Sequence, residues 1–222
     1  MRAAPIALIT ALLPFLCIHL TYLVAASHGH VEWCVPYWDS CTSISATGRE
    51  LPEKLLFKFI MIPAGLLAIV FWWLVNGWLD AVGLRRSHSM FWLGAVAGLF
   101  LILYVVALGE GREYQILRRI GIILFFSFSF LAQLLFLART AGMRVALAKS
   151  QSRIVHLQQI AALTLLAIGI SSVLLDMLYT HYDNIEDAFE WVMMLFIVAQ
   201  FGSHYGLWKA AGLRLELRAD QT

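Results

Sequence analysis

The distribution of apolar residues along the chain constrains its fold more than any other feature. Six predominantly apolar runs occur, and a membrane-spanning α-helix needs about 20 such residues. The runs cover residues 5–26, 54–79, 89–108, 120–138, 158–180 and 187–208. Because backbone polar groups have no water to bond in hydrocarbon, helices satisfy them internally. The runs therefore predict an all-α, polytopic membrane protein built as a six transmembrane helix bundle.

Composition and connector lengths leave no room for a separate soluble domain. Apolar residues make up 61% of the 222 residues and charged residues only 14%, which is far from the balance of a soluble protein. The longest connector, residues 27–53, is too short to bury a core of its own. We therefore expect residues 1–222 to form a single integral membrane domain.

The positions of the basic residues predict the orientation of the bundle. If the N-terminus is cytoplasmic, the inner side holds ten of the 16 Lys and Arg residues, so the positive-inside rule favours both termini cytoplasmic. The first apolar run is about 22 residues long, whereas the core of a cleaved signal peptide has about 7–15 residues. We expect this run to remain as the first span.

Charge gives little indication of a soluble partner. The net charge of +2 is small, and the charge that matters in such a chain is its distribution across the membrane. Acidic residues concentrate in the outer connectors, where they would attract cations or basic head groups. We expect membrane lipids as partners and no nucleic acid. The sequence identifies neither a protein partner nor a cofactor.

The first outer connector, SHGHVEWCVPYWDSCTSI, carries the most varied chemistry in the chain. Cys34 and Cys41 are close enough in sequence to form a disulfide in an oxidising compartment, and free thiols are the alternative. His28, His30 and Glu32 alternate as metal ligands do in an extended segment. Solvated interfacial histidines are the simpler interpretation of that pattern.

Three ionisable residues within the predicted spans are candidates for a polar site. Charged groups in hydrocarbon cost roughly 2.5–3.5 kcal/mol on insertion scales and usually face a bundle interior. At about 1.5 Å per residue, His19, Asp176 and Glu190 all lie roughly 5–10 Å below the outer helix ends. They could form a proton-sharing cluster, a metal site or a lipid anchor, or only a buried hydrogen-bond network. His204 is too deep to join them.

Aromatic residues and glycines indicate how the spans meet the membrane and each other. The aromatic residues near span ends predict interfacial belts: Trp33, Tyr37, Trp38, Trp72, Trp73, Trp78 and Trp208. Gly94 and Gly98 lie on one face of the third span, and Gly202 and Gly206 on one face of the sixth. Small residues four apart permit close helix approach, and packing within the bundle is the expected use.

The motifs of well-known soluble enzymes are absent. The sequence has no nucleophile elbow, phosphate loop or H-E-x-x-H motif. A metal-assisted lipid hydrolase or acyltransferase remains an alternative if His28 and His30 bind a metal. A scaffold is another, because the connector from Arg139 to Arg153 carries four cations and no acid, a composition suited to anionic head groups or partners. Those cations are Arg139, Arg144, Lys149 and Arg153.

Three stretches resemble a known membrane-protein family. SHGHVEWCVPYWDS, LPEKLLFK and DAFEWVMMLF are similar to segments of the damage-regulated autophagy modulators, whose relatives include the Frag and Sfk proteins and a Golgi protein that remodels GPI-anchor lipids. The family positions in these stretches correspond to His30, Pro36, Tyr37, Asp39, Pro52, Glu53, Glu190 and Trp191. The resemblance implies six helices and a role in lipid remodelling, lipid asymmetry or the regulation of lipid kinases. It does not imply a particular reaction.

The residues and the resemblance together predict a polar pocket at the outer leaflet. His19, Asp176 and Glu190 would form its floor, and the aromatic connector would form its lid. We expect Tyr37, Asp39 and Trp191 to take part in ligand binding, with Glu190 as the anchor for a lipid head group.

Overall fold

The computed structural model describes residues 2–141 and 148–214, and within them six α-helices have 20 residues or more. A single helical turn, α2, interrupts the long connector after the first of them. In chain order the helices are α1 (Ala4–Ser27), α2 (Pro36–Asp39), α3 (Glu53–Ala81), α4 (His88–Ala107), α5 (Gln115–Ala141), α6 (Lys149–Leu178) and α7 (Glu186–Ala211). No β-strand occurs in the described residues, which confirms the all-α prediction.

Five of the six long helices are long and apolar enough to cross a membrane. The exception is α7, whose hydropathy is lowered by Glu190, Gln200, Ser203 and His204 among others. A chain with five such helices is an integral, multi-pass membrane protein. The sixth crossing and the cytoplasmic position of the termini stay predictions.

The helix bounds agree closely with the predicted spans, except at two starts. The helix α5 begins five residues before the predicted residue 120, and α6 begins at Lys149 rather than near residue 158. Helices extend beyond the apolar run because the backbone hydrogen bonds continue into polar sequence. Lys149 and Arg153 of the basic connector therefore lie in the first turns of α6, and Arg144 lies outside the described residues.

The long helices pack side by side in the order α5, α4, α3, α1, α7 and α6, with a smaller contact between α5 and α6. Sequential pairs α3/α4 and α4/α5 are antiparallel neighbours, α1 lies between α3 and α7, and α6 packs mainly on α7. At one end of the bundle the Ala3 N–H donates to the Leu213 carbonyl at 3.0 Å. The N-terminal start of α1 and the C-terminal end of α7 therefore lie at this end, called here the proximal end. The opposite end, where α1 stops and α7 starts, is the distal end.

Glycines bring α3 and α4 into close contact. A Cβ atom at Gly98 would lie 2.7 Å from the Gly65 carbonyl oxygen, and a Cβ at Gly94 would lie 2.1 Å from the Trp72 ring. Both distances are too short for any residue but glycine. The glycine pair predicted to serve packing within the bundle does so.

Most of the tryptophans expected at the inner membrane surface are buried. Trp72, Trp78 and Trp208 are at most 1% exposed and lie in the hydrophobic core, so the interfacial prediction is wrong for them. Trp72 fills the space left by Gly94, and Trp208 packs against Phe71 with ring centroids 5.3 Å apart. Helix packing, which span position alone does not reveal, decides this burial.

Candidate functional site

The connector between α1 and α3 is attached to the start of α7 at the distal end. The indole N–H of Trp191 donates to the Thr42 carbonyl at 2.8 Å, and the Ala188 N–H donates to the Ser40 hydroxyl at 3.0 Å. Thr42, Ile44 and Thr47 are buried, although all three come from a connector. The connector is thus a packed cover over the distal ends of α1 and α7.

Tyr37 and Trp191 surround His19 beneath this cover. Nδ1 of His19 lies 2.7 Å from the Phe15 carbonyl, which only accepts, so Nδ1 carries a proton. Nε2 of the neutral ring then accepts from the Tyr37 hydroxyl at 2.7 Å. Partial burial raises the pKa of the Tyr37 phenol, which keeps it a donor. The Trp191 ring completes the group, 5.7 Å from the His19 ring and 5.3 Å from the Tyr37 ring.

Glu190 lies beside this aromatic group and contacts the cover directly. One carboxylate oxygen, Oε2, accepts from the Ile44 N–H at 3.2 Å. The other oxygen, Oε1, has no hydrogen bond within residues 2–141 and 148–214. The side chain is largely buried, and Oε1 keeps some exposed surface. A carboxylate held on one side and open on the other can accept a hydrogen bond from a ligand or neutralise a cation.

Two of the predicted site residues lie elsewhere. Asp39 is exposed, and its Oδ2 accepts from the Val35 N–H at 2.7 Å, which closes the turn of α2. Asp176 is exposed on α6 and, among the described residues, makes no hydrogen bond or ion pair with His19 or Glu190. The structure therefore brings together His19, Tyr37 and Trp191 of the predicted set, and Glu190 precedes Trp191 on α7 and binds the cover at Ile44. Roles for Asp39 and Asp176 in binding stay predictions.

A second ionisable pair lies at the distal end between the connector and α3. Nδ1 of His30 donates to Oε1 of Glu53 at 2.6 Å, and the Glu53 side chain has no exposed surface. The second carboxylate oxygen, Oε2, is buried without a hydrogen bond in the described part of the chain. Only the family resemblance singled out Glu53, as the glutamate of the Pro-Glu pair. Its pairing with His30 could not be predicted from the sequence, because the two residues are 23 positions apart.

The side chains of His28 and His30 contact each other and the end of α1. The rings of His28 and His30 stack with centroids 5.9 Å apart, and Nδ1 of His28 bonds the Val24 carbonyl at 2.9 Å. Among the residues described, no group of three or more His, Cys, Asp and Glu side chains is arranged to hold a metal ion. The metal site at His28 and His30 stays a prediction.

The predicted disulfide is present and a tyrosine holds it in place. Cys34 and Cys41 are bonded, with Cα atoms 6.6 Å apart. The Tyr22 hydroxyl donates to the Cys34 carbonyl at 2.7 Å and accepts from the Cys34 N–H at 2.8 Å. Tyr22 was not predicted as a site residue, because nothing in an apolar span distinguishes a tyrosine that reaches into the connector.

Basic and acidic residues form a cluster on the other side of the distal end. Nζ of Lys54 lies 2.9 Å from Oε1 of Glu110, and Nζ of Lys58 lies 2.5 Å from the same oxygen. The two ammonium groups lower the pKa of the Glu110 carboxyl to about 2. The cluster connects α3 to the connector between α4 and α5.

A deeper polar network links α5, α6 and α7. Nε2 of Gln133 donates to Oε1 of Gln200 at 3.0 Å, and Nε2 of Gln200 donates to the Gln158 carbonyl at 3.1 Å. Gln158 in turn donates to the Ser203 hydroxyl at 2.6 Å. His204 lies in this network rather than near Glu190, as its depth predicted. Glutamines in spans were not singled out from the sequence.

Comparison with known proteins decides the family. A family model described as Frag1/DRAM/Sfk1/Cwh43P N-terminal domain matches residues 2–206, which is nearly the whole chain. The chain belongs to the Frag1/DRAM/Sfk1/Cwh43P family. This confirms the resemblance of the three short stretches. No curated protein and no solved structure matches the chain significantly.

The Frag1/DRAM/Sfk1/Cwh43P match includes every element of the distal end. Residues 2–206 contain α1, the disulfide-bonded cover and the first part of α7, so the contacts of His19, Tyr37 and Glu190 fall inside the matched region. The membership also agrees with the integral, multi-pass membrane character given by the apolar helices.

Proposed function

We propose that this family member binds the head group of a membrane lipid at the distal end, with Glu190 as the anchor. The proposal rests on the hydrogen bonding of the Glu190 carboxylate. Its Oε2 is held by the Ile44 N–H, while Oε1 keeps some exposed surface and is without a partner in the described residues. A head group that presents an ammonium or hydroxyl donor matches such an acceptor.

The surrounding residues support an amphipathic ligand. Tyr37 is half-buried and presents a ring surface that favours a cation or a sugar, the fully buried Trp191 packs beneath it, and His19 fixes the Tyr37 hydroxyl. Trp33 and Trp38 are 66% and 88% exposed on the cover, which suits the head-group layer of a membrane. In this proposal the distal end faces the outer leaflet, and the exposed carboxylates of Asp39 and Asp176 add negative charge around the entrance.

Native mass spectrometry of the detergent-purified protein tests the proposal. We expect wild type to retain a lipid adduct and Glu190→Gln to lose at least three quarters of it. Glutamine keeps the size of the side chain and an oxygen that still accepts from Ile44, so the cover stays attached while the charge is removed. Glu113→Gln is the matched control, because it removes an exposed carboxylate from another distal connector.

The outcomes distinguish this function from the alternatives. Equal lipid retention in wild type and Glu190→Gln would overturn the proposal. A stoichiometric metal in wild type would favour the metal-assisted hydrolase or acyltransferase instead. An adduct lost only when Arg139, Lys149 and Arg153 are neutralised would favour the scaffold with a basic connector.

A further inference from the structure

A long apolar groove lies beside α7, on the side where α6 diverges from the bundle. Its volume is about 380 Å³, which falls in the range of about 300–1,000 Å³ of ligand pockets. The lining includes Phe126 and Phe130 of α5 and Met193 and Ile197 of α7. Ser127 is the one polar side chain in the lining, so the groove suits hydrocarbon.

The groove opens to the side of the bundle, toward the lipid. Ile170, Val173 and Leu174 line it from α6, and each is more than half exposed. The reason is that α6 packs mainly on α7 and makes little contact with α5. A molecule can thus enter from the membrane without unfolding any helix.

Glu190 lies one helical turn beyond Met193, the most distal residue that α7 contributes to the groove lining. Glu190, Met193, Ile197 and Gln200 follow at intervals of three, four and three residues, which places them on one stripe of the helix. The stripe runs about 15 Å from Glu190 to Gln200. The residue that anchors a head group in the proposed function therefore lies one turn beyond the distal limit of the α7 lining, within the length of one lipid molecule.

Polar atoms lie at the end of the groove that is nearer the proximal end of the bundle. A second cavity of about 20 Å³ shares Phe130, Leu165 and Ile197 with the groove and is also lined by Ser129 and Trp72. The Ser129 hydroxyl and the Trp72 indole N–H are buried and, among the described residues, have no hydrogen-bond partner. Hydrocarbon is unfavourable beside such groups, so the apolar part has a defined length.

We propose that the groove binds one acyl chain of the membrane lipid whose head group is anchored at Glu190. This inference rests on the proposed function. The arrangement matches a molecule that is polar at one end, elongated and apolar along its length. The occupant is thus a lipid with a linear acyl chain.

Photo-crosslinking with a defined lipid tests the acyl-chain groove. The probe is a phosphatidylethanolamine with a diazirine in the middle of one acyl chain, present in phosphatidylcholine vesicles that contain the full-length protein. We expect the crosslinked peptides of wild type to come from the groove segments of α5, α6 and α7. Gly169→Leu should reduce this crosslinking at least threefold, because a Cβ at Gly169 meets no atom within 4 Å and the added side chain fills the groove.

Two further variants make the test decisive. Gly77→Leu is the matched control, since Gly77 is also helical and unobstructed but lies away from the groove, and it should crosslink like wild type. Val173→Trp fills the groove from a side chain that is already 60% exposed, so it preserves the core if Gly169→Leu does not fold. Thermal unfolding of each variant in detergent establishes that it is folded.

The outcomes separate the groove from the head-group site. Unchanged crosslinking in folded Gly169→Leu and Val173→Trp would overturn the acyl-chain groove, even if Glu190→Gln lowers lipid retention. Reduced crosslinking in the groove variants together with full crosslinking in Glu190→Gln would support the groove and overturn the head-group site. Preferential labelling of the groove by a photoreactive sterol would also overturn an acyl chain as the occupant.

Discussion

Nδ1 of His30 lies 2.6 Å from Oε1 of Glu53, and this carboxylate has no exposed surface. Glu53 is the first residue of α3, where the positive end of the helix dipole favours a negative charge. His30 approaches from the connector, with 32% of its side chain exposed. The pair therefore fixes the cover to the distal end of α3, much as Trp191 fixes it to α7.

Loss of His30 should destabilise the fold, because it leaves the buried Glu53 carboxylate without its donor. We expect His30→Ala to lower the free energy of unfolding by about 1–3 kcal/mol, the penalty for an unsatisfied buried polar group. Thermal unfolding in detergent measures the change. His28→Ala, from the exposed neighbouring histidine, is the control and should have little effect.

A double-mutant cycle tests whether this effect belongs to the pair. The destabilisation by His30→Ala should be smaller in a Glu53→Gln background, since the uncharged amide is less expensive to bury than an unpaired carboxylate. Additive effects of the two substitutions would contradict the pairing.

Close packing of α3 on α4 makes Gly98 intolerant of a side chain. Gly98→Ala should destabilise the protein by about 1–3 kcal/mol, because the new Cβ lies 2.7 Å from the Gly65 carbonyl, which belongs to a helix backbone and cannot move alone. Gly77→Ala introduces the same methyl group into open space and should be neutral or stabilising by up to about 1 kcal/mol. Equal thermal midpoints for the two variants would contradict the close approach.

The three cysteines should differ in their reaction with iodoacetamide. Without reductant, the unfolded protein should take up one carbamidomethyl group, at Cys17, and with reductant it should take up three. Intact-mass measurement gives the number directly. Uptake of three groups without reductant would show that Cys34 and Cys41 are free thiols.

Removing the disulfide should also lower stability. A double Cys34→Ser and Cys41→Ser variant loses a covalent constraint on the unfolded chain, which for most disulfides amounts to about 2–4 kcal/mol. Cys17→Ser removes a buried thiol instead and is a control for the loss of sulfur itself. Thermal unfolding without reductant compares the two, and a double variant as stable as wild type would contradict the prediction.

The ion cluster at Glu110 should stabilise the protein in a pH-dependent way. The pKa of the Glu110 carboxyl is lowered from 4.5 to about 2 by Lys58 and Lys54, so the folded state favours the charged form. The stabilisation is therefore complete above about pH 4.5 and is lost as the pH falls to about 2. Wild type should unfold at a slightly higher temperature than Glu110→Gln at neutral pH and at the same temperature near pH 2.

Salt gives an independent check on the Glu110 cluster. The Glu110 side chain is exposed, so added salt should reduce the difference between wild type and Glu110→Gln. Glu113→Gln removes a nearby exposed acid and should show no such dependence on pH. A difference that persists at pH 2 would contradict an ionic origin.

The helices and the disulfide were predictable because the evidence for them is local. A run of about 20 apolar residues leaves the backbone few alternatives to a helix in hydrocarbon, and Cys34 and Cys41 are separated by only six residues. The starts of α5 and α6 were less predictable. Helices continue into polar sequence wherever the backbone hydrogen bonds continue, and apolar runs do not mark that limit.

The site was predictable only in part, because some of its geometry depends on contacts between helices and not on residues within one segment. Depth along a span follows from helical rise, so the sequence predicted similar levels for His19 and Glu190 and a deeper level for His204, which contacts Gln158 and Gln200. Rotation about the helix axis does not follow from depth. Asp176 shares the level of Glu190 but faces outward, whereas Trp72 and Trp208 lie at span ends but face the core.

By itself the sequence determined that this chain crosses a membrane as helices, that its most reactive residues gather in one connector, and which family it resembles. The tertiary structure alone decided that His30 meets Glu53, that Tyr37 meets His19, and that α5, α6 and α7 enclose an apolar groove beside Met193 and Ile197. Helix formation in hydrocarbon depends on residues within one segment. Partners between segments depend on how each helix rotates and how closely it approaches its neighbours, which side-chain shape sets across the whole bundle.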